Sequence, residues 1–142
     1  MKARKLDQET TLVSGSLFSG GGVGDVGIEW GVGVPVLAAC ELVPSRAALI
    51  RRNFPETKVF EGDVWTLQQD YVDYFRSKLK GRRPWLLTLS PPCQGMSSNG
   101  AGRISASIRS GKRPREDERN RLILPGINVL EQLKPDWFVL EN

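Results

Sequence analysis

Histidine is missing from all 142 residues, and cysteine occurs only twice, at Cys40 and Cys93. Without an imidazole, Ser-His and Cys-His catalysis from these residues alone is excluded, and acid or base work falls to a carboxylate or to water. No Cys-x-x-Cys pair occurs, so no zinc or other metal site is expected. Two distant cysteines fit a reduced, intracellular compartment. Apolar runs stay far below the ~20 residues of a membrane span, and Met1–Lys5 lacks the apolar core of a signal peptide. The expected location is therefore intracellular, in cytoplasm, nucleoid or nucleus, with no membrane partner. Internal repeats are absent as well.

What remains is the composition of an ordinary soluble domain. The apolar share is 39% and the charged share 25%, enough for one domain with one core. A net charge of +4 mildly favours a polyanionic partner and proves little alone.

Apolar runs alternate with helix-compatible segments, which predicts an α/β fold with a mostly parallel sheet. Strands are expected at Leu12–Phe18, Val34–Cys40, Lys58–Phe60, Trp85–Leu89 and Trp137–Leu140. Helices are expected at about Asp25–Trp30, at Ser45–Asn53, and at Thr66–Leu79, where Leu67, Tyr71, Tyr74, Phe75 and Leu79 share a face. A last helix, Leu122–Leu133, is expected to be interrupted near Pro125-Gly126. Residues 100–119 break the rhythm, being rich in Gly, Ser and the basic residues Arg103, Arg109, Lys112, Arg113, Arg115 and Arg119. Such a segment suits a solvated loop or a phosphate-seeking one.

In open α/β sheets ligands sit beyond the carboxyl ends of the strands, and the unusual residues fall there in turn. The first strand leads into Phe18-Ser19-Gly20-Gly21-Gly22-Val23-Gly24, where missing side chains let backbone amides approach a ligand. No Lys-Ser/Thr follows, so a P-loop is excluded. Glu41 follows the second strand, placed to accept from a ribose diol. Gly62-Asp63 follows the third; Asp63 could accept from an adenine amino group or cap the next helix. Phe18 and Leu42 could flank an adenine or belong to the core. The fourth strand delivers Ser90-Pro91-Pro92-Cys93-Gln94-Gly95-Met96-Ser97-Ser98, a thiol behind two φ-restricting prolines. The fifth delivers Glu141-Asn142, where partial burial would raise a carboxyl pKa.

Together these motifs resemble the catalytic half of the cytosine-C5 DNA methyltransferases, from about Val13 to Asn142. Phe18-Ser19-Gly20-x-Gly22 is similar to the family's cofactor glycine motif, Pro91-Pro92-Cys93-Gln94 to its nucleophile motif, and Glu141-Asn142 to the opening of its Glu-Asn-Val motif. Arg119–Leu122 is similar to the short motif before the next helix. The resemblance implies a Rossmann-like, S-adenosylmethionine-dependent methyltransferase fold, incomplete in that residues 1–142 form the N-terminal part of the catalytic, cofactor-binding domain. Phe18, Ser19, Gly20, Gly22, Glu41, Leu42, Asp63, Val64 and Leu122 would hold S-adenosylmethionine. Cys93 would attack C6 of a flipped cytosine in double-stranded DNA, with Glu141 on the N3 edge, while Pro92, Gln94, Ser97, Ser98 and Arg119 contact DNA. The family's target-recognition region is not among these residues. Turnover is therefore expected to need a missing C-terminal part or a second chain, and the isolated chain is expected to be inactive.

Three departures stand out: Val23 in place of a common glycine, Leu42 in place of a frequent aromatic, and Met96 in place of a common phenylalanine. An RNA cytosine-C5 methyltransferase and a non-catalytic, cofactor-binding remnant remain open. A dinucleotide oxidoreductase would use the glycine turn and Glu41 but has no use for Pro-Pro-Cys-Gln.

Overall fold

The computed structural model describes residues 12–92, 109–111 and 121–141. Five strands, β1 (Ser14–Leu17), β2 (Val36–Glu41), β3 (Lys58–Glu61), β4 (Leu86–Leu89) and β5 (Trp137–Leu140), form one sheet in the order β3-β2-β1-β4-β5. Every pairing is parallel. Parallel neighbours need crossovers, and helices α2 (Pro44–Asn53), α3 (Val64–Leu79) and α4 (Ile123–Leu133) supply three of them. The chain steps outward from β1 to β3. It then returns through α3 to β4, on the other side of β1.

Burial explains the strand sequences. All of β1 and β2 is buried, as expected of central strands covered on both faces. One layer packs Ala39 and Val59 of the sheet against Ala47, Ile50 and Phe54 of the α2 region. The other packs Leu17, Cys40 and Leu87 against Tyr71, Val72, Phe75 and Val129. Within it α3 buries Val64, Tyr71, Val72, Phe75 and Leu79, with the expected Leu67 and Tyr74 only partly buried at its margin.

Gly15 lets α3 lie this close to β1. A Cβ there would stand 2.6 Å from Phe75 Cζ and 3.0 Å from Leu87 Cδ2, and would also meet the Tyr71 hydroxyl. That hydroxyl is fully buried and donates toward the carbonyls of Ser16 (3.3 Å) and Ala38 (3.2 Å), tying α3 to two strands. Overpacking of this kind costs about 1–3 kcal/mol. Gly15→Ala should therefore lower the urea midpoint by that equivalent, and an unchanged midpoint would refute the close seating of α3.

Two expectations about helices need correction. The first helix begins at Val23 rather than about Asp25. It runs as α1 (Val23–Val26) for one turn and then widens into a π-helical segment, Gly27–Val32. Helix α4 is not interrupted at Pro125-Gly126. Pro125 is the third residue of that helix, where a missing N–H removes no intrahelical bond. Gly126 answers packing instead, since a Cβ there would stand 2.6 Å from Leu89 Cδ2.

At the sheet edge, β5 carries four apolar residues in a row, Trp137, Phe138, Val139 and Leu140, exposed by 66%, 60%, 53% and 42%. Among the described residues nothing covers them. A bare apolar edge strand is a surface that pairs with further structure or aggregates.

Candidate functional site

The reversal of strand order between β1 and β4 opens a crevice at their carboxyl ends, the usual ligand position in such sheets. A cavity of ≈ 220 Å³ lies there. Phe18 enters it from the exit of β1, and Glu41, Leu42, Val43 and Arg46 from the exit of β2 and the start of α2. Gly62, Asp63 and Val64 line it after β3, Ser90 and Pro92 after β4, and Leu122 just before α4.

The turn after β1 is tightly fixed. Phe18, Gly20 and Gly22 have φ of 58°, 59° and 80°, a left-handed region that glycine enters freely and phenylalanine does not. Strain of this kind clusters at ligand sites. Ser19 N–H donates to the Cys40 carbonyl (3.1 Å), and Gly22 N–H donates back to the Ser19 carbonyl (3.0 Å). Val23 begins α1 with its side chain 81% exposed, so the valine leaves the turn undisturbed. Ser19, Gly20 and Gly22 are not cavity walls; they shape the turn beside it.

Glu41 is the buried acid of the site, only 5% exposed. Its carboxylate accepts from Gly20 N–H (2.7 Å) and from Val43 N–H (2.9 Å). These charge-assisted bonds fix the carboxylate, and each oxygen keeps a further acceptor position. Asp63 is exposed and caps α3, accepting from Trp65 N–H (3.0 Å). Capping thus uses one Asp63 oxygen and leaves its partner free.

Cys40 lies at the cavity floor, 2% exposed. Burial, followed by the charges of Glu41 and Asp63, pushes its thiol up to about 12. Such a thiol is protonated and inert as a nucleophile at neutral pH. Cys93, Gln94, Ser97, Ser98 and Arg119 lie outside the described residues, as do Asn142 and most of the basic segment. Pro91 is buried and Pro92 stands exposed at the cavity mouth.

Glu141 follows β5, with its N–H donating to the Leu89 carbonyl (2.9 Å). Its side chain is exposed, so the partial burial expected from its strand-end position is not found. The reason lies in the bare edge: nothing described stands over β5 to bury it.

Three participants escaped the sequence reading. Val43 enters from the residue that precedes α2 and Arg46 from its first turn, and Pro44 at its start was the available signal for where that turn lies. Asp25 lies beneath the glycine turn, and its signal was a lone acid in a stretch of glycine and valine. A second groove of ≈ 220 Å³ opens at the opposite end of the strands, among Arg76, Arg82, Arg83 and Lys134. It contains none of the expected site residues. Among the described residues there is no group of three metal-ligating side chains and no helix long and apolar enough to cross a membrane.

Comparison with known proteins agrees with this geometry. The family model for C-5 cytosine-specific DNA methylase matches residues 13–142. The type II methyltransferase M1.HgaI of Avibacterium volantium is 33% identical over 127 residues, covering 89% of this chain and 33% of that protein. The type II methyltransferase M.AquIA of Picosynechococcus is 32% identical over 89% of this chain and 46% of its own length. A crystal structure of a prophage-encoded E. coli protein, provisionally described as a DNA modification methyltransferase, superposes with a TM-score of 0.68. It is 24% identical and covers 92% of this chain and 31% of that one. The chain thus spans about a third to a half of the length of these relatives.

Proposed function

Because the chain belongs to the C-5 cytosine-specific DNA methylase family, we propose that it is the N-terminal, cofactor-binding part of an enzyme methylating C5 of cytosine in DNA. The observation that carries this reading is the buried Glu41 carboxylate, locked between two backbone amides at the edge of the cavity. S-adenosylmethionine fits that donor and acceptor set, and when bound it supplies an electrophilic methyl group.

Glu41 would accept the ribose hydroxyls with its remaining lone pairs. Phe18 and Leu42 would flank the adenine, the free oxygen of Asp63 would accept from its amino group, and Val64 and Leu122 would close the apolar sides. Ser19, Gly20 and Gly22 would hold the turn in place. Cys93 would act as a thiolate on a cytosine taken out of the duplex stack. Its sulfur would bond to C6 and make C5 nucleophilic; C5 would take the methyl group, with S-adenosylhomocysteine leaving, and loss of the C5 proton would then expel the thiolate from C6. Glu141 would engage the N3 edge of the base. Pro92, Gln94, Ser97, Ser98 and Arg119 would contact DNA around the vacated stack.

The bare β5 edge and the exposed Glu141 support a further part of this reading. A base held on only one side loses the alignment from which most rate comes, so turnover needs added structure over β5, from the same chain or a second one. The test is a transfer assay with methyl-labelled S-adenosylmethionine on mixed-sequence DNA and on RNA. The 142 residues are assayed alone and with a separately supplied C-terminal portion of a related methyltransferase. Labelled 5-methylcytosine in DNA only on mixing is the expected result. Site-specific methylation of DNA by the 142 residues alone would overturn the need for added structure, and label confined to RNA would overturn the substrate.

A further inference from the structure

Asp25 is a buried carboxyl that the proposed chemistry does not use. It lies 2% exposed in α1, directly under the glycine turn, and the Cβ position of Gly22 is 3.6 Å from its Oδ2. Three side-chain contacts run from it through the turn. Asp25 Oδ2 is 3.2 Å from Ser16 Oγ, Ser16 Oγ is 2.6 Å from Ser19 Oγ, and Ser19 Oγ is 3.2 Å from the Cys40 carbonyl oxygen.

Counting protons along this chain fixes its direction. Each serine has one hydroxyl hydrogen, and a carbonyl oxygen can only accept. If Ser19 donates to the Cys40 carbonyl, Ser16 must donate to Ser19. Ser16 then has no hydrogen left for Asp25, and the third contact needs a proton on the carboxyl. With Asp25 ionised, only two of the three contacts can be hydrogen bonds. Either the Cys40 carbonyl loses the Ser19 hydroxyl and keeps only the Ser19 N–H (3.1 Å), or two serine oxygens face each other at 2.6 Å with no hydrogen between them, or the buried carboxylate loses its Ser16 donor.

The surroundings favour the proton. Desolvation raises the Asp25 carboxyl to about 6, with the Ser16 bond opposing and the charge of Glu29 adding to the rise. Glu29 faces it from the π-helical segment and Tyr71 from α3. The Tyr71 phenol is itself held well above its ordinary value by burial, and so is neutral. From α2 the turn meets only the apolar Ile50 and Phe54 at Gly22. Among the described residues Asp25 pairs with no cation.

We propose that Asp25 is a positioning residue whose proton completes the Ser16–Ser19–Cys40 hydrogen-bond chain, so that ligand binding at the glycine turn is linked to proton uptake at Asp25. The link to a ligand rests on the cofactor reading above; the proton chain itself does not. Ser19 and Gly20 border the Glu41 carboxylate, which takes the Gly20 amide as one of its two donors. A turn with all three contacts made presents that amide in one place, and a ligand that prefers it must also prefer protonated Asp25.

The sign follows directly. A carboxyl raised from 3.8 to about 6 contributes its full stability below the unfolded value, and that contribution is lost as pH rises from there through about 6. The fully bonded turn should be lost as pH rises through about 6, and ligand affinity should fall between that free midpoint and the higher ligand-bound one.

The experiment is a carbon-detected titration of the Asp25 carboxyl in the protein, with and without S-adenosylhomocysteine, alongside the Ser19, Gly20 and Gly22 amide shifts. The expected midpoint is near 6 in the free protein and about one unit higher with ligand, with the turn amides following the same curve. Affinity by calorimetry should then fall about tenfold between pH 5 and pH 8, since one unit of linked shift is a factor of ten. Asp25→Asn, whose amide donates to Ser16 at every pH, should flatten that profile at the tight-binding level, whereas Asp25→Ala should bind weakly throughout. A midpoint near 4, or an Asn variant as weak as the Ala variant, would overturn the proposal. Absence of binding at every pH, with the amides still following Asp25, would overturn the cofactor reading and leave the proton chain standing.

Discussion

Cys93→Ala should abolish the covalent adduct with DNA carrying 5-fluorocytosine, in enzyme completed by a C-terminal portion, while Cys40→Ala should leave adduct formation intact. The two thiols differ in setting. Cys40 sits inside β2 and is held protonated by burial and two nearby carboxylates, up to about 12. Cys93 follows the Pro91-Pro92 exit of β4, and Pro92 is exposed at the mouth of the cavity. A thiolate is the reactive form, and an ordinary thiol titrates near 8.5, so a thiol raised as far as Cys40 is a poor candidate for the nucleophile. The 5-fluoro substituent cannot leave as a proton does, so the S–C6 bond persists and the adduct survives denaturing electrophoresis. Retention of the adduct in Cys93→Ala would remove Cys93 from the chemistry. Its loss in Cys40→Ala, with the fold intact by circular dichroism, would contradict the inert reading of that thiol.

Glu41→Ala should weaken S-adenosylmethionine binding by one to two orders of magnitude. A hydrogen bond to a charged acceptor contributes ~1.5–3 kcal/mol, which is about tenfold to a hundredfold in affinity. The substitution also strips Gly20 N–H and Val43 N–H of their partner, loosening the turn that borders the cavity. Glu41→Gln separates the two effects. Its amide oxygen can satisfy one of the backbone donors while its NH2 opposes the other, so binding should fall with a smaller loss of thermal stability. Calorimetry on the protein reads the affinity. An unchanged dissociation constant in Glu41→Ala would refute the ribose role, whatever the fate of the turn.

Much of this arrangement could be read from the sequence because short-range rules govern it. Buried parallel strands must be continuous apolar runs, and β2 and β4 appeared within two residues of their observed ends. Asp63 carries both a capping signal and a rim position, and the structure shows the capping bond. The errors arose where tertiary contact overrode local preference. Pro125-Gly126 looks like a break in isolation; in the fold the proline falls in the first turn and the glycine makes room for Leu89. The π-helical widening at Gly27–Val32 has no period in the sequence that would announce it. Glu141 was expected to be partly buried because it ends an apolar strand, yet β5 is an edge and its residues stand exposed. Asp25 was passed over because its meaning depends on Ser16 and Ser19 being beneath the same turn, which sequence spacing alone does not reveal.

The proposed cofactor site is the centre of the account, and a backbone amide titration with S-adenosylhomocysteine tests it most directly. Shifts should concentrate at Ser19, Gly20, Val43, Gly62, Asp63 and Val64, at the carboxyl ends of β1, β2 and β3, and should saturate at one ligand per chain. The groove at the opposite end, read through Arg76, Gly81 and Lys134, should stay still. Saturable shifts confined to that opposite groove, or no shifts at the Glu41 rim at millimolar ligand, would contradict it.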